Sequence, residues 1–500
     1  MHIVQITSEI APAAKVGGLS DVVLGLSREL LRQGHQVEVL LPDYAALKRD
    51  EIDKWEPNHS QVSIFLDDQF RSVSVGRGLV RDVPVWFIGA PEGYSFLDHD
   101  SVYGGADELL RFLSFSRGAL DWLLFQHSEP DIIHSHDWPT AVVPVLLREV
   151  FTDTPLGRSK TLFSLHNVDY QGRCSKEDLH RIGLDGRTLL HPERLQDNQW
   201  EEAINLMKGG IVFSDGCNTV SPTYAEQVRT APEGRGLELT INKHQQKFSG
   251  ILNGIDYTYW NPAEDTYIDH HFSLEQMKAG DCSGKKAAKA ALQRALYLPV
   301  TDAPLIACIS RLIPQKGIDL MRHAVHRISE LGGQFVLLGS SLNSDIQAAF
   351  EQQAVEHSRG NSVRFCLKTS ERLAHQIYAA ADMILVPSIF EPCGLTQMIA
   401  LRYGCVPLVR KTGGLADTVH DVETSIRPLS ERNGFSFEHA DIGGVNWALD
   451  RSIKMYREKP QKWKQLVING MRQDHSWNRS VRGYMERYQG ILGHLPVQIK

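Results

Sequence analysis

The sequence lacks several features by which common classes of protein are recognised. Its seven cysteines form no CxxC pair and no cysteine–histidine spacing typical of zinc, so a reduced environment is the simplest interpretation. No apolar run approaches the ~18 residues of a membrane helix. The pattern HIVQIT after Met1 indicates a buried strand and does not resemble a signal peptide. We therefore expect a cytoplasmic protein with no membrane partner.

An excess of basic residues and the common nucleotide-binding fingerprints are also missing. The net charge is −7 and the sequence contains no basic tract, which argues against nucleic acid as a partner. Neither the GxGxxG fingerprint nor a P-loop occurs in the chain. Nicotinamide chemistry and nucleotide hydrolysis therefore lose support as functions.

The chain instead shows apolar strands that alternate with amphipathic helices. Its 500 residues are too many for one core and predict two to four domains. One helix carries apolar residues at the 3.6-residue period between Leu19 and Leu31, and the alternation restarts at Pro304. This pattern predicts an α/β protein with two doubly wound parallel sheets. The segment from Tyr267 to about Gly284 has little periodicity, and we expect it to be irregular.

One phrase occurs twice, almost four hundred residues apart. KVGGLSDVV begins at Lys15 and KTGGLADTV at Lys411, and six of their nine positions are identical. Each phrase follows a predicted strand. Ligands of doubly wound sheets bind at the carboxyl ends of the strands, so we expect each phrase to lie at the edge of one shared cleft.

Two loops place cations after predicted strands. Lys15 precedes Gly17 and Gly18, where the backbone can approach a ligand closely and a helix N-terminus favours an anion. Arg311 and Lys316 lie in SRLIPQKG, and together they suit a diphosphate. The alternatives are a simple tight turn at the glycines and a solvated charged loop at SRLIPQKG.

A third loop, SIFEPCGLTQ, combines a carboxylate with backbone donors. Glu391 follows a predicted strand, and a helix is expected to begin at about Leu395. The N–H groups of Cys393, Gly394, Leu395 and Thr396 would then face an anion, while Glu391 accepts hydrogen bonds from hydroxyl groups. This combination suits a phosphorylated, polyhydroxylated ligand. The alternative is that Glu391 caps the helix.

Two further motifs carry histidine and aspartate. His166 follows the strand TLFSL, and Asp137 lies in HSHDW. His166 fits a general acid or base, a hydrogen-bond donor, or a buried structural histidine. The DHD triplet at Asp98–Asp100 matches a short metal motif, but it lies away from any predicted strand end, and we expect no metal.

These motifs occur in the order found in one enzyme family. SEIAPAAKVGGLSDV, HSHDW, SLHNVDYQG, NTVSPTYAEQV, ILNGID, SRLIPQKG, FEPCGLTQ and KTGGLADTV together resemble the bacterial glycogen synthases and plant starch synthases. The resemblance implies the GT-B fold, in which two Rossmann-like domains face a deep cleft. It also implies retaining transfer of glucose from a sugar nucleotide, usually ADP-glucose, to the non-reducing end of an α-1,4-glucan. We expect that this reaction needs no cofactor and no metal.

The resemblance also implies roles for particular residues. The implied catalytic residues are His166, Glu391, Arg311 and Lys316. The implied donor-binding residues are Lys15, Gly17, Gly18, Asn253, Arg311, Lys316, Cys393, Gly394, Leu395 and Thr396. Asp137, His166 and Tyr170 are implied on the acceptor and glucose side, and Thr412–Gly414 at the nucleotide edge. The expected domains are residues 1–253, residues 254–480, and a C-terminal helix over 481–500 that packs on the first domain.

Two departures from related patterns leave alternatives open. Many retaining GT-B enzymes have a second glutamate eight residues after the first, where this chain has Ile399; that fits the glycogen and starch synthase branch. Lys368 and Thr369 occupy a loop where an aromatic residue often stacks on the base, so UDP-glucose stays possible as the donor. The remaining alternatives are a catalytically weak glucan-binding relative and another GT-B enzyme such as a phosphorylase.

Overall fold

A computed structural model describes residues 1–357, 360 and 362–493 of the chain. The chain divides into two compact units. The first comprises Met1–Gly254 together with the segment that begins at Trp477, and the second comprises Ile255–Ser476. The predicted third segment begins at residue 481, and its residues 494–500 lie outside the described residues.

The first unit is built on a nine-stranded sheet. The strands of this unit are β1 His2–Ile6, β2 Gln36–Pro42, β3 Asp53–Leu66, β4 Gln69–Val80, β5 Val83–Pro91, β6 Ile132–His136, β7 Lys160–Leu165, β8 Arg173–Cys174, β9 Ile204–Asn205, β10 Gly216–Thr219 and β11 Phe248–Gly250. β8 and β9 form a separate two-stranded ribbon, and the other strands form the sheet. The strand order is β11-β10-β7-β6-β1-β2-β5-β4-β3. Parallel pairing runs from β11 to β5, so the predicted doubly wound core is confirmed.

The first sheet also has an antiparallel edge, which the sequence analysis does not predict. β3 and β4 pair antiparallel with each other, and β4 pairs antiparallel with β5. Asp67 and Asp68 connect β3 to β4 with φ of 51° and 58°, the left-handed geometry of a tight two-residue hairpin. Residues 62–66 alternate between buried and more exposed positions, as expected for a strand with one solvated face.

Helices cover the first sheet. They span Gly18–Arg32, Glu108–Phe125, Asp137–Thr140, Val143–Glu149, Lys176–His180, Gly186–Leu189, Leu206–Phe213, Pro222–Gln227, Glu238–Lys243 and Trp477–Ile491, with short 3-10 turns at Arg49–Glu51, Pro155–Arg158 and Gln245–Lys247. The last helix packs into a core that contains Ile3, Val22 and Leu26. A Cβ added to Gly25 would collide with the Trp477 indole, so close packing requires glycine there.

The second unit is a six-stranded, entirely parallel sheet. Its strands are β12 Leu305–Ile309, β13 Gln334–Leu338, β14 Val363–Cys366, β15 Met383–Val386, β16 Val406–Arg410 and β17 Phe435–Phe437, in the order β14-β13-β12-β15-β16-β17. Its helices span Leu274–Ala279, Ser283–Ala295, Ile318–Glu330, Ser344–Glu356, Glu371–Ala380, Thr396–Arg402, Gly413–Thr418, Ile442–Glu458 and Pro460–Arg472, with a 3-10 turn at Pro314–Lys316. This confirms the second wound sheet predicted from Pro304 onward.

The segment expected to be irregular contains helical structure. Leu274–Ala279 forms a short helix whose N-cap, Ser273, accepts a bond from the Gln276 N–H while the Gln276 side chain accepts from the Ser273 N–H. This reciprocal capping box stabilises a helix too short to show periodicity. Within the described ranges, no helix combines the length and apolarity needed to cross a membrane.

Candidate active site

A buried glutamate holds the first glycine loop. The Oε2 atom of Glu9 accepts hydrogen bonds from the N–H groups of Val16 and Gly17, at 2.9 and 2.8 Å. Its Oε1 atom accepts from the Tyr103 hydroxyl at 2.6 Å, and burial with the adjacent carboxylate raises the pKa of Tyr103 well above its usual range. Glu9 is 3% exposed, so it fixes the loop from beneath. The sequence prediction missed this role, although Glu9 lies within the motif SEIAPAAK.

Packing within the protein does not explain the glycine at position 17. Gly17 has φ of −137° and ψ of −167°, an extended conformation open to any residue, so the tight-turn alternative fails there. Among the residues that the structure describes, a Cβ at Gly17 would meet only Glu9 Oε1, at an ordinary 3.9 Å. Gly18 begins the helix and is exposed. Lys15 is exposed beside them, and its Nζ lies 3.0 Å from Asp21 Oδ1. The loop therefore presents a cation and small residues outward.

The second copy of the phrase serves a different purpose. Gly413 has φ of +43°, and a Cβ there would collide with the Glu391 carbonyl oxygen. A Cβ at Gly414 would collide with the Cys393 carbonyl, and the Gly414 N–H donates to the Glu391 carbonyl at 3.2 Å. Thr412 and both glycines are buried. These glycines thus allow two loops to pack closely, and the second phrase supports the Glu391 loop.

Lys316 and Glu391 form an ion pair at the ends of two neighbouring strands. Lys316 follows β12 and Glu391 follows β15, and the two strands pair in the sheet. Lys316 Nζ lies 2.8 and 2.6 Å from the two carboxylate oxygens of Glu391. The Ser388 hydroxyl donates to the same carboxylate at 2.8 Å. Glu391 is 6% exposed, so the pair is well shielded, whereas Arg311 on the same loop is exposed.

The Glu391 loop is not a helix cap. The helix Thr396–Arg402 has Leu395 at its N-cap position and no side-chain capping bond, so the alternative role proposed for Glu391 is wrong. The loop is held instead by Gln397, whose Nε2 donates to the carbonyls of Cys393 and Gly394 at 3.1 and 2.8 Å. The segment from Gly394 to Thr396 is half-buried and Cys393 is buried.

Asp137 and His166 are brought together at the ends of β6 and β7. Asp137 Oδ1 accepts from the backbone N–H of His166 at 2.6 Å and of Asn167 at 3.3 Å. Asp137 has φ of +56°, a strained conformation that turns its side chain toward this loop. Burial raises the pKa of Asp137 to about 7, against the effect of the two backbone bonds. Asp137 therefore positions the His166 loop, a contact that the sequence did not predict.

The other two predicted residues of the first unit differ in exposure. Tyr170 follows His166 on the same loop and is 65% exposed. Asn253 is 4% exposed, and its Oδ1 has no hydrogen-bond partner within the described part of the chain. Asn253 therefore has an unused hydrogen-bond acceptor, which is energetically unfavourable for a buried amide oxygen.

No group of three or more metal-binding side chains with suitable geometry occurs among the described residues. The cysteines of the chain are all free thiols.

Two family models cover most of the chain. The starch synthase catalytic domain matches residues 2–243 and the glycosyl transferases group 1 model matches residues 292–468. A glycogen synthase from Protochlamydia amoebophila is 46% identical over 98% of this chain and 99% of its own length. A probable starch synthase 4 from Arabidopsis thaliana is 44% identical over 98% of this chain and 47% of its own length.

Solved structures agree with these matches. The catalytic domain of starch synthase IV from Arabidopsis thaliana, bound to ADP and acarbose, superposes with a TM-score of 0.95 at 44% identity, covering 98% of this chain and 99% of that one. A sucrose-phosphate synthase from Thermosynechococcus elongatus has a TM-score of 0.61 at 17% identity, covering 99% of this chain and all of that one. The second likeness concerns the fold alone.

Proposed function

This chain belongs to the glycogen synthase and starch synthase family of retaining glycosyltransferases with the GT-B fold, and on that premise we propose its specific reaction. It transfers glucose from ADP-glucose to the non-reducing end of an α-1,4-glucan with retention at C1, without a metal or cofactor. We place the reaction in the cytoplasm, on the analogy of the bacterial relatives and the free thiols.

The ion pair between Lys316 and Glu391 is the observation that supports this proposal most strongly. A cation suited to a leaving diphosphate and a carboxylate suited to sugar hydroxyls meet at 2.6 Å. Neither partner has a helix-capping task that would explain its position. A sugar nucleotide presents the matching groups, a diphosphate next to a polyhydroxylated ring, so one ligand engages both residues.

The proposed chemistry follows from where charge develops. The bond from glucose C1 to the diphosphate oxygen breaks, and the 4-hydroxyl oxygen of the acceptor bonds to C1 on the same face. Arg311 and Lys316 stabilise the departing diphosphate, which takes the acceptor proton. Lys15 and its glycine loop supply further donor contacts, and Asn253 offers its free acceptor to the donor. His166 contacts the glucose near C1, and Asp137 and Tyr170 serve the glucose and acceptor side.

A direct assay tests the proposal. Mixing the enzyme with glycogen and either ADP-glucose or UDP-glucose should release nucleoside diphosphate much faster from ADP-glucose, in proportion to glucose added to the polymer. Faster turnover of UDP-glucose would replace the proposed donor, in keeping with the exposed Lys368 where an aromatic residue often stacks on the base. Binding of glycogen without release from either donor would indicate a non-catalytic glucan-binding relative.

A further inference from the structure

A chain of buried polar side chains leads from β1 to His166. His136, the last residue of β6, is fully buried, and so is Gln5 on the adjacent strand β1. The Nδ1 atom of His136 lies 3.1 Å from Nε2 of His166, and its Nε2 lies 3.0 Å from Oε1 of Gln5. The Gln5 amide nitrogen in turn donates to Ser27. The proposed function gives no task to Gln5 or His136.

Donors and acceptors along this chain assign the tautomers. The Gln5 Oε1 atom can only accept, so Nε2 of His136 carries the hydrogen. Burial lowers the pKa of His136 well below its usual range, and the pKa of His166 to about 3, so both rings are neutral. Nδ1 of His136 is then a bare acceptor, and Nε2 of His166 must donate to it. This leaves Nδ1 of His166 as an acceptor for a hydroxyl group.

A neighbouring histidine has a separate task. His134, two residues earlier on β6, is also fully buried, and its ring centroid lies 4.1 Å from that of His136. Its Nδ1 lies 2.9 Å from the Tyr488 hydroxyl and its Nε2 2.7 Å from the Ser164 hydroxyl. Both nitrogens of His134 are therefore engaged away from His166. His134 joins the last helix to the sheet and offers a matched comparison for His136.

We propose that His136, oriented by Gln5, is a positioning residue that fixes the ring orientation and tautomer of His166. Asp137 holds the backbone of His166 from the next position along the chain, at 2.6 Å. Two consecutive residues at the end of β6 thus fix both the main chain and the imidazole of His166. The proposal rests on the catalytic role proposed above for His166.

A double-mutant cycle tests this role. His136→Leu should lower kcat/KM about three- to tenfold, the effect of one lost hydrogen bond. His136→Asn should restore most of the activity, because its Oδ1 lies where Nδ1 was and accepts from His166. In a His166→Ala background, His136→Leu should change kcat/KM by less than about twofold, since the residue through which it acts is gone.

The remaining outcomes separate this proposal from the proposed function. An equal loss on His136→Leu in both backgrounds would contradict positioning and show a general structural effect. Full activity of His166→Ala would instead refute the catalytic role of His166. His134→Leu is the control and should lower thermal stability while leaving kcat/KM of the folded enzyme unchanged. If His136→Leu does not fold, Gln5→Met should give the same non-additive loss, and an additive loss would overturn the proposal.

Discussion

At the scale of single residues, each unit contains poorly exposed ionisable side chains that are held by specific partners. Glu9 and Asp137 each accept two backbone N–H bonds and so fix a loop. Lys316 and Glu391 neutralise each other in a shielded position. Charged groups with little exposure are costly unless paired, so removing one partner of the Lys316–Glu391 pair should lower stability.

Separating stability from catalysis at Lys316 requires a pair of variants. Lys316→Met should lower kcat/KM about a hundred- to a thousandfold, as when one donor to a developing anion is removed, and should lower stability because Glu391 is left unpaired. In Lys316→Met/Glu391→Gln the melting temperature should recover while activity stays low. Steady-state kinetics and thermal unfolding check both effects.

Lys411→Ala is the matched control for Lys316. Lys411 lies in the same unit and also pairs with a glutamate, Glu438 at 2.7 Å, but both side chains are more than half exposed. Exposed ion pairs contribute about 0–1 kcal/mol to folding stability. Both kcat/KM and the melting temperature of Lys411→Ala should therefore change little. A near-normal kcat/KM of Lys316→Met for the donor would contradict the role given to Lys316.

At the scale of elements, one short phrase builds two different turns. The phrase at Lys15 leaves its glycines accessible from outside, whereas the phrase at Lys411 has glycines packed under the Glu391 loop. Both copies begin a helix, at Gly18 and at Gly413. The same residues therefore encode a strand–loop–helix connection in both places, and the surroundings decide whether the glycines lie at the surface or pack within the protein.

Matched glycine-to-alanine substitutions distinguish the two turns. Gly413→Ala should lower the free energy of unfolding by about 1–3 kcal/mol or more, because its φ is +43° and its Cβ would strike the Glu391 carbonyl. Gly17→Ala should leave stability within about 0.5 kcal/mol, yet weaken binding of the proposed donor, because the added Cβ hinders its close approach to the loop. Unfolding curves and the KM for donor measure these effects; a stable Gly413→Ala protein would contradict the packing argument.

At the scale of the whole molecule, the regular α/β alternation can be predicted from the sequence. The contacts between residues that are distant in the sequence cannot. Strand–helix periodicity is local, so both wound sheets and the loops at their carboxyl ends follow from the sequence. The edge hairpin β3–β4 was missed, although its Asp67–Asp68 turn gives a local signal. The bond between Glu9 and Tyr103 joins residues 94 positions apart, and no local pattern predicts it.

Three neighbouring histidines of the first unit, His134, His136 and His166, make stability depend on pH. Burial holds the pKa values of His134 and His136 well below the usual range and that of His166 at about 3. The unfolded chain binds these protons below pH ~6.5, whereas the folded chain does not. Their stabilisation is therefore present above pH ~6.5 and is lost as the pH falls towards 3, at up to about 1.4 kcal/mol per pH unit for each histidine.

Denaturant unfolding between pH 7 and pH 4 measures this dependence. The free energy of unfolding should decrease as the pH is lowered. His136→Asn removes one titrating ring, so the slope of this free energy against pH should correspond to about one proton fewer. An unchanged slope in His136→Asn would show that His136 is protonated in the folded protein. That result would also contradict the tautomers assigned to His136 and His166.

The stereochemistry of the product shows directly whether glucose is transferred with retention to an α-1,4-glucan. ADP-glucose labelled with carbon-13 at C1 is supplied with a linear maltooligosaccharide, and the product is followed by nuclear magnetic resonance. We expect a new labelled α-1,4 linkage at the non-reducing end, formed together with one ADP per glucose added. A labelled β linkage, or labelled free glucose with no elongation, would contradict it.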